Sequence, residues 1–575
     1  AMANTVEDGI KTTRSLGNVF AELDLVPGLV GRVSAAASRS QASRRFFIPK
    51  NTPLGDESGG QAIQGNRELT NQVFQGQLTY NPKIAANQNL SITGVYEYNQ
   101  YETEELNALS YGFTTDVNSF NRMESGKTQQ TSSYHAVNKL ISFISRANYD
   151  LNGKYYLQVT GRYDGSSRFG PNNRWAFFPS ASLRWRLSNE EFLKGNSTIS
   201  ELSLRASYGQ SGQERIGDDL WRATLAANTG FIAGLGGQQI TGYASTQLAN
   251  PDLKWETISS TNFGVDFGLF NSKIQGSLEL YQAKTKDLLL AVPQPFGVVN
   301  TRFENVGSTE NKGFEFNLTG YILDKDDTSL SITANIGANR NKVIELDGRQ
   351  QLPYAVRVTG AGYSEAPLQV VRVGFPVTGT FIGKKYTGLD ASGKETYAVA
   401  PTTGDTAVGN GLEVLGTAEP DFVYGLATKF TKGNIDVNLF LRGQVGGMVF
   451  NNTAAVYGYP GSSLKQGQNG IIPYDITELS ALAKIESPGF ASSRWLEDAS
   501  FLRVDNLTIG YRLANISKRV RTARVYLTGQ NLFLLTGYSG YDPEVAGFGN
   551  GGGVGVDYLV YPKARTITLG LNLGL

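Results

Sequence analysis

Apolar residues recur at every second position in many short stretches of the chain. From residue 566 to residue 575, leucine and isoleucine alternate with threonine, glycine and asparagine. A period of two gives a β-strand one apolar and one polar face. The same alternation, with charged residues on the second face, occurs in segments 153–164, 200–212 and 435–446. Followed along the chain, this pattern predicts an all-β protein of about 17 strands.

The lengths of the connections between these strands indicate which all-β architecture is present. Short connections, such as those at residues 26–27, 150–152 and 432–434, mostly alternate with long ones. A soluble sandwich also has alternating strands, but nothing in it segregates long connections to one side. An outer-membrane β-barrel does so, because its strands pair all round in lipid while one end carries elaborate loops. The long connections are predicted near residues 39–69, 102–135, 213–257, 291–311, 343–420, 447–497 and 535–563.

The prediction is therefore a transmembrane antiparallel β-barrel in the outer membrane. In such barrels the short turns face the periplasm, the number of strands is normally even, and both termini are periplasmic. With a periplasmic C-terminus, about 17 strands would place residue 1 at the rim of long loops. We therefore expect an odd number of upstream strands, and whatever domain precedes them, to lie outside this sequence.

The two kinds of position in a barrel give two sets of candidate binding residues. A lipid-facing wall cannot bind a polar solute, so contacts are expected on the lumen side or in the loops. Charged residues on polar strand faces are predicted to face the lumen, and these are Arg162, Arg205, Asp436 and Arg442. Aromatic residues of the long loops could stack on sugar rings or peptide side chains, or could simply pack the loops together, and these are Trp221, Tyr243, Tyr354, Tyr386, Tyr457 and Tyr459.

Aromatic residues near the strand ends have two interpretations that the sequence leaves open. They are Tyr96, Tyr98, Phe177, Phe178, Tyr526 and Phe533. They could form the interfacial girdles of a membrane barrel. They could equally reflect the ordinary preference of aromatic residues for strands.

Composition excludes several classes of function. The 575 residues contain 52 Lys and Arg against 51 Asp and Glu, and a net charge of +1 provides no basic field for nucleic acid. There is no Cys, so disulfides, thiolate zinc sites and cysteine nucleophiles are excluded. A single His, His135, leaves no partner for a histidine-based metal site and weakens any Ser-His-Asp arrangement. We expect His135 to be a structural residue, and no run of about 18 apolar residues predicts a membrane helix.

Two motifs that could carry chemistry lack the required spacing. The glycine-rich run 549–555 has no Gly-Lys-Ser/Thr ending and does not match a P-loop. The acidic stretch 390–395 lacks the ligand periodicity of an EF-hand, so it does not predict a calcium site. The sequence thus predicts no enzyme, no cofactor and no metal site.

Ordered sequence motifs resemble those of the SusC/RagA-type TonB-dependent transporters of Bacteroidota. Any one of them alone would be weak, but they occur in the family's order. They are 161–170 (GRYDGSSRFG), 173–182 (NRWAFFPSAS), 185–193 (WRLSNEEFL), 250–256 (NPDLKWE), 305–307 (NVG), 311–315 (NKGFE), 374–376 (GFP), 381–383 (FIG), 494–503 (RWLEDASFLR) and 526–532 (YLTGQNL).

The resemblance implies a 22-stranded barrel of which residues 1–575 cover approximately strands 6–22, with the plug, the TonB box and any N-terminal extension outside this sequence. It also implies active import of oligosaccharides or oligopeptides, with a SusD-like surface lipoprotein as partner and a possible dimer of such pairs. Energy would come from TonB-ExbB-ExbD through the missing N-terminal region. The choice between glycan and peptide stays open.

Three other functions remain as alternatives. A passive porin would conduct steadily, whereas a plugged transporter would be nearly silent. A structural or adhesive surface platform would bind partner proteins and carry no solute. An outer-membrane hydrolase ranks last, because His135 has no evident nucleophile beside it.

Overall fold

The computed structural model describes residues 5–214, 216–228, 242–294, 301–352, 356–360, 363–391, 394–457, 490–514, 520–545 and 553–574. Strands dominate these residues. In the first part of the chain they are β1 (Glu7–Val26), β2 (Leu29–Ile48), β3 (Gln61–Tyr80), β4 (Lys83–Ala85), β5 (Gln88–Phe113), β6 (Gly126–Leu151), β7 (Tyr155–Ser166), β8 (Trp175–Arg186), β9 (Ile199–Gln213), β10 (Thr224–Asn228), β11 (Gly242–Gln247), β12 (Glu256–Leu269), β13 (Ile274–Lys286), β14 (Leu289–Pro293) and β15 (Thr301–Asn305).

The second part of the chain is organised in the same way. Its strands are β16 (Ser308–Lys325), β17 (Thr328–Glu345), β18 (Val356–Gly360), β19 (Tyr363–Gln369), β20 (Thr380–Gly383), β21 (Tyr386–Leu389), β22 (Glu395–Tyr397), β23 (Ala407–Gly409), β24 (Leu412–Thr417), β25 (Phe422–Lys432), β26 (Ile435–Val445), β27 (Met448–Asn451), β28 (Leu496–Asp498), β29 (Phe501–Ala514), β30 (Thr522–Thr536), β31 (Val556–Asp557) and β32 (Thr566–Gly574).

The helices among the described residues are short. They are the α-helices α1 (Pro53–Asp56) and α2 (Asn452–Tyr457) and the 3₁₀ turns Ser119–Asn121, Met123–Ser125, Leu187–Asn189 and Ser493–Trp495. Within the described part of the chain, no helix combines the length and the hydrophobicity needed to cross a membrane.

Eighteen of the strands belong to one large sheet, which confirms the predicted all-β fold of about 17 strands. The remaining strands form small sheets inside the long connections. The chain divides into two compact units. Unit 1 consists of residues 1–182, 209–257 and 289–305, and unit 2 of residues 183–208, 258–288 and 306–575.

In unit 1, neighbouring strands of the large sheet pair antiparallel in the order β1–β2–β3–β5–β6–β7. Strands β5 and β6 each have 26 residues. At about 3.3 Å per residue they are far longer than the 9–11 residues that a barrel strand needs to cross a bilayer. The ends of these two strands therefore extend well beyond any membrane-spanning segment.

Two long connections predicted for unit 1 are much shorter in the structure. Residues 39–48 and 61–69 continue β2 and β3, so the connection predicted near 39–69 spans only residues 49–60. Likewise, β5 continues to residue 113 and β6 begins at residue 126, so the connection predicted near 102–135 spans 114–125. These extensions carry many polar residues and show no regular apolar alternation, although Phe47, Ala62 and Phe113 form a small buried cluster at their ends. Their backbones still pair in unbroken register.

In unit 2, the order of antiparallel pairing is β13–β16–β17–β25–β26–β29–β30–β32. The register aligns Asn438, Thr508, Thr528 and Thr568 in one row across four strands. The hydroxyls of Thr508 and Thr528 are 2.9 Å apart. On the alternate positions of β32, the isoleucine and the leucines are 55–75% exposed. We call the side of a strand that carries the polar row its polar face and the other its apolar face.

The aromatic residues near strand ends do not all occupy one kind of position. Tyr96 and Phe177 are exposed, at 37% and 59%, as girdle residues would be. Phe178 is instead buried against Trp255, and Tyr526 lies on the polar face beneath the guanidinium of Arg524. The girdle interpretation therefore stays open for Tyr96 and Phe177, whereas Phe178 and Tyr526 pack against other side chains of the protein.

Candidate functional site

The polar faces of the strands carry charged residues in ion pairs. In unit 1, Nε of Arg162 on β7 donates to both carboxylate oxygens of Asp164, at 2.8 and 2.6 Å. Nη2 of Arg162 also donates to Oγ of Ser142 on β6 at 3.0 Å. Asp164 is buried, so this pair is held against the sheet.

In unit 2, Arg205 on β9 connects two carboxylates on different strands. It donates to Asp266 on β12 at 2.8 and 2.9 Å and also to Glu279 on β13. The second carboxylate oxygen of Glu279 is buried without a hydrogen-bond partner. The group therefore holds one cation and two anions.

Asp436 on β26 is almost completely buried by its cationic neighbours. Nε and Nη2 of Arg524 on β30 lie 2.8 and 2.5 Å from its carboxylate oxygens. Arg512 on β29 approaches to 3.7 Å. Such a two-pronged contact fixes both side chains, because the guanidinium fork matches a carboxylate.

Arg442 belongs to a larger cluster that joins the sheet to the connection between β30 and β32. It donates to Asp505 at 2.8 Å and to Glu544. Next to it, Nη2 of Arg503 contacts Asp542 and Glu544, and Lys563 contacts the same two acids. We call this group the ionic cluster, and its members are Arg442, Arg503, Lys563, Asp505, Asp542 and Glu544.

The ionic cluster contains three cations and three anions, so its formal charges balance. Burial alone would raise the pKa of the Glu544 carboxyl. Hydrogen bonds from Arg442 and Lys563, and the positive charges of both, outweigh burial and lower this pKa to about 2. Glu544 is thus charged at all ordinary pH values. Elsewhere in unit 2, burial raises the pKa of the Glu419 carboxyl. The backbone N–H of Asn341 donates a hydrogen bond to this carboxyl, but burial outweighs it.

A cavity of about 510 Å³ lies on the polar face of unit 2, next to the ionic cluster. Gly337 and Gly425 form part of its wall, and the side-chain amide of Asn335 lies over Gly425, where it occupies the place of a Cβ. Carboxylate, amide and guanidinium groups surround it. They belong to Glu279, Glu315, Asn317, Asn335, Arg442 and Gln444. These groups offer a polar solute both hydrogen-bond donors and hydrogen-bond acceptors.

Three long connections of unit 2 fold together into one assembly. They run between β17 and β25, between β26 and β29, and between β30 and β32. A buried apolar cluster takes residues from all three, namely Leu368, Phe381, Phe450, Ala455, Ala491 and Val556. Strand β27 of the second connection also pairs parallel with β31 of the third. We call this the loop assembly.

Tyr386, a predicted contact residue, lies in the loop assembly and is half-buried. The guanidinium of Arg494 lies 5.2 Å from its ring and 5.0 Å from the ring of Trp495. Arg494 also donates to the buried carboxylate of Glu395 at 2.7 Å. These contacts hold two of the connections together, so part of the surface of Tyr386 is already used in packing.

The other predicted aromatic residues occupy different settings. Trp221 is half-buried, with Arg174 and Arg222 at 5.5 and 4.7 Å from its ring, and its Nε1 donates to the carbonyl of Ser167, so it packs its own loop against the connection between β7 and β8. Tyr243 on β11 has 71% of its surface exposed. Tyr354 and Tyr459 lie outside the described residues, as does the side chain of Tyr457 at the end of α2.

Sequence reasoning missed several residues of these networks. Arg503, Asp542 and Glu544 were not among the predicted residues, although Arg503 ends one of the quoted motifs. Asp542 and Glu544 lie in a connection that has no periodic pattern. Only the fold brings them to the strand that carries Arg503.

Long antiparallel strands with an exposed apolar face and an ion-paired polar face define a transmembrane β-barrel protein. Residues 30–532 match the family described as TonB dependent receptor-like, beta-barrel. The chain belongs to this family of outer-membrane proteins.

Relatives among curated proteins and solved structures agree with this assignment. The chain is 32% identical to TonB-dependent receptor P3 of Formosa agariphila, over 100% of this chain and 59% of the relative. It is 31% identical to TonB-dependent receptor SusC of Bacteroides thetaiotaomicron, over 78% of this chain and 45% of that protein. The RagAB peptide transporter structure matches 99% of this chain and 63% of its own, with a TM-score of 0.82 and 25% identity. The chain thus spans about half the length of the curated relatives.

Proposed function

We propose that this chain forms most of the barrel wall of an active outer-membrane importer of oligosaccharides or oligopeptides. In this proposal the polar faces line the lumen, and Arg162, Arg205, Asp436 and Arg442 contribute to its surface. The apolar faces contact lipid. A SusD-like lipoprotein covers the loop assembly, and TonB acts through a plug upstream of this sequence.

The observation that carries the proposal is the pairing of charges on the polar faces. A lumen that must pass water-soluble oligomers needs hydrogen-bonding groups, but unpaired charges of one sign would bind or repel many solutes strongly. In both units candidate lumen residues are held by partners of opposite sign, as in Arg162 with Asp164, Arg205 with Asp266 and Asp436 with Arg524. The wall is therefore polar without a strong net field, which suits neutral glycans and zwitterionic peptides alike.

The family relationships support the active mechanism over a passive one. The relatives that match all or most of this chain are TonB-dependent receptors. One structural neighbour, RagAB, is a peptide transporter. This makes peptide one of the two proposed substrate classes for this chain, and glycan remains the other.

Among the predicted aromatic contacts, Tyr243 is the residue we propose as a substrate-stacking surface in unit 1. Its ring is exposed, whereas Trp221 and Tyr386 are engaged by arginines. Tyr354, Tyr457 and Tyr459 remain candidates by their position in the long connections.

Deletion of the full-length gene in its host tests the proposal. Uptake of fluorescent oligosaccharides and oligopeptides should fall for one class and return when the intact gene is restored. An uncoupler that abolishes the proton-motive force should have the same effect as deletion. A gene carrying Tyr243→Ala should restore less uptake than the native gene does. Tyr541 is also an exposed tyrosine, so Tyr541→Ala serves as the matched control and should restore uptake fully.

Each alternative predicts a different result. A passive porin would keep its uptake in the presence of the uncoupler and would conduct steadily in a planar bilayer. An adhesive platform would show no uptake defect on deletion. Either result would refute active import.

A further inference from the structure

The extended ends of β5 and β6 bring three possible metal ligands together in unit 1. His135 on β6 is the Cα partner of Glu104 on β5, and Glu102 lies two residues along on the same face of β5. Nε2 of His135 is 3.1 Å from a carboxylate oxygen of Glu102 and 4.0 Å from one of Glu104. In the described part of the chain, this set has all its donor atoms within 4.8 Å of one another.

The position of the set along the strands keeps it accessible to water. On this face of β5, Ile92, Tyr96 and Tyr98 come first, and the polar residues begin at Gln100. The three side chains lie beyond that point and are 58%, 34% and 63% exposed for His135, Glu102 and Glu104. They are therefore open to ions in solution.

Charge near the set favours a cation. Glu68 is the Cα partner of Glu104 on the next strand, and it forms an ion pair with Arg39. Arg39 already has this partner, although it also acts on Glu104 at longer range. The ion pairs of Glu102 and Glu104 in the described part of the chain are with the imidazole of His135. A divalent ion would neutralise both carboxylates.

We propose that His135, Glu102 and Glu104 form a site for a divalent transition-metal ion of the zinc type. Imidazole nitrogen with carboxylate oxygens is a donor set that suits Zn²⁺, whereas Ca²⁺ and Mg²⁺ prefer oxygen alone. Ligand distances of about 2.0–2.2 Å place tetrahedral donors about 3.4 Å apart. The observed separations lie on either side of this value, so small rotations of exposed side chains complete the site. Three protein ligands leave a fourth position for water or a solute.

The rigidity of the paired strands supports the proposal. The register of β5 and β6 continues through this region without a bulge, from Gln88↔Leu151 to Tyr111↔Thr128. The Cα positions of the three ligands are thus fixed by backbone hydrogen bonds on two strands. The ion would lock only the side chains, so little ordering of the chain would oppose binding.

His135 is the single histidine of this sequence, so His135→Ala removes the one imidazole that residues 1–575 contain. The intact full-length protein is purified in detergent without a histidine tag. Zn²⁺ is titrated by calorimetry, and Co²⁺ is used as an absorbing substitute that reports nitrogen and oxygen ligands. We expect one equivalent to bind through residues of this chain, with the cobalt spectrum of a four- or five-coordinate ion.

Variants identify the site. His135→Ala, Glu102→Gln and Glu104→Gln should each weaken Zn²⁺ binding by about tenfold or more. Glu105→Gln is the matched control, because Glu105 is adjacent in sequence but pairs with Arg67 at 2.8 Å. Unchanged mobility of unheated protein on a gel confirms that each variant is folded. Absence of binding at millimolar Zn²⁺, or binding that His135→Ala leaves unchanged, would overturn the proposal.

Discussion

Arg503 and Asp542 form a buried ion pair in which Nη2 of the arginine is 2.8 Å from both carboxylate oxygens of the aspartate. Their side chains are only 3% and 8% exposed. Arg503 is on strand β29 and Asp542 is in the connection between β30 and β32. This pair therefore fixes one long connection to the wall of the sheet.

Breaking this pair should loosen the connection strongly. Arg503→Leu leaves Asp542 buried with Lys563 as its remaining cation, and loss of one partner of a buried pair costs about 3–5 kcal/mol. Hydrogen exchange of residues 538–545 should accelerate accordingly. Lys563→Ala removes a half-exposed partner and should cost no more than about 1 kcal/mol. Equal effects of the two variants would contradict this account.

Glu544 gives the same connection a defined dependence on pH. The pKa of an ordinary glutamate is about 4.3. In the folded protein the pKa of Glu544 is lowered to about 2. Its charged form therefore stabilises the fold fully above about pH 4.3, and this contribution disappears as the pH falls through about 2. The difference in opening free energy between the native protein and Glu544→Gln should shrink over this interval.

Hydrogen exchange of residues 538–545, measured from pH 7 to pH 2, follows this difference. Glu191→Gln, at a carboxylate that is 78% exposed, serves as the control and should show no comparable change. A constant difference across the whole range would show that the charge of Glu544 does not stabilise the connection.

Asp436 and Arg524 should behave as one energetic unit. Either Asp436→Asn or Arg524→Gln alone removes the two-pronged contact, and the double variant should cost less than the sum of the two. Contacting charged residues have coupling energies of about 0.5–3 kcal/mol. The free energy of unfolding of the native protein, the two single variants and the double variant can be measured by urea unfolding from lipid vesicles. These four values form a double-mutant cycle. Strict additivity would mean that the contact contributes nothing.

The apolar face can be located with tryptophan fluorescence. Trp175 is 43% exposed and stacks on Tyr163 at 4.9 Å, whereas Trp255 is 5% exposed inside unit 1. Brominated lipids quench only tryptophans that touch acyl chains. Trp175→Phe should remove a quenched component, and Trp255→Phe should remove an unquenched one. The reverse result would show that the faces are assigned the wrong way round.

The faces of individual strands were predictable because alternation depends only on nearest neighbours in sequence. Arg205 and Asp436 could be placed on the polar side in this way. Their partners could not, because Asp266 and Arg524 become neighbours only through the register of separate strands. For the same reason the sequence could not show that Glu102 and Glu104 lie beside His135.

The loops were predictable only in position. The two polar extensions of β2 with β3 and of β5 with β6 lack the apolar alternation that marks a strand in lipid, so they were assigned to connections. The loop assembly was missed because its apolar residues are scattered over three connections. No single connection has a pattern that predicts a core.

A core shared among three connections has a consequence for how the outer surface can diverge between relatives. A residue such as Phe450 cannot change size without disturbing Phe381 and Val556, which belong to other connections. Exposed positions can be replaced one at a time, but the backbone that carries them can change only if all three connections change together. New specificity should therefore arise first by exchange of exposed side chains on an unaltered framework, and only rarely by remodelling of the framework itself.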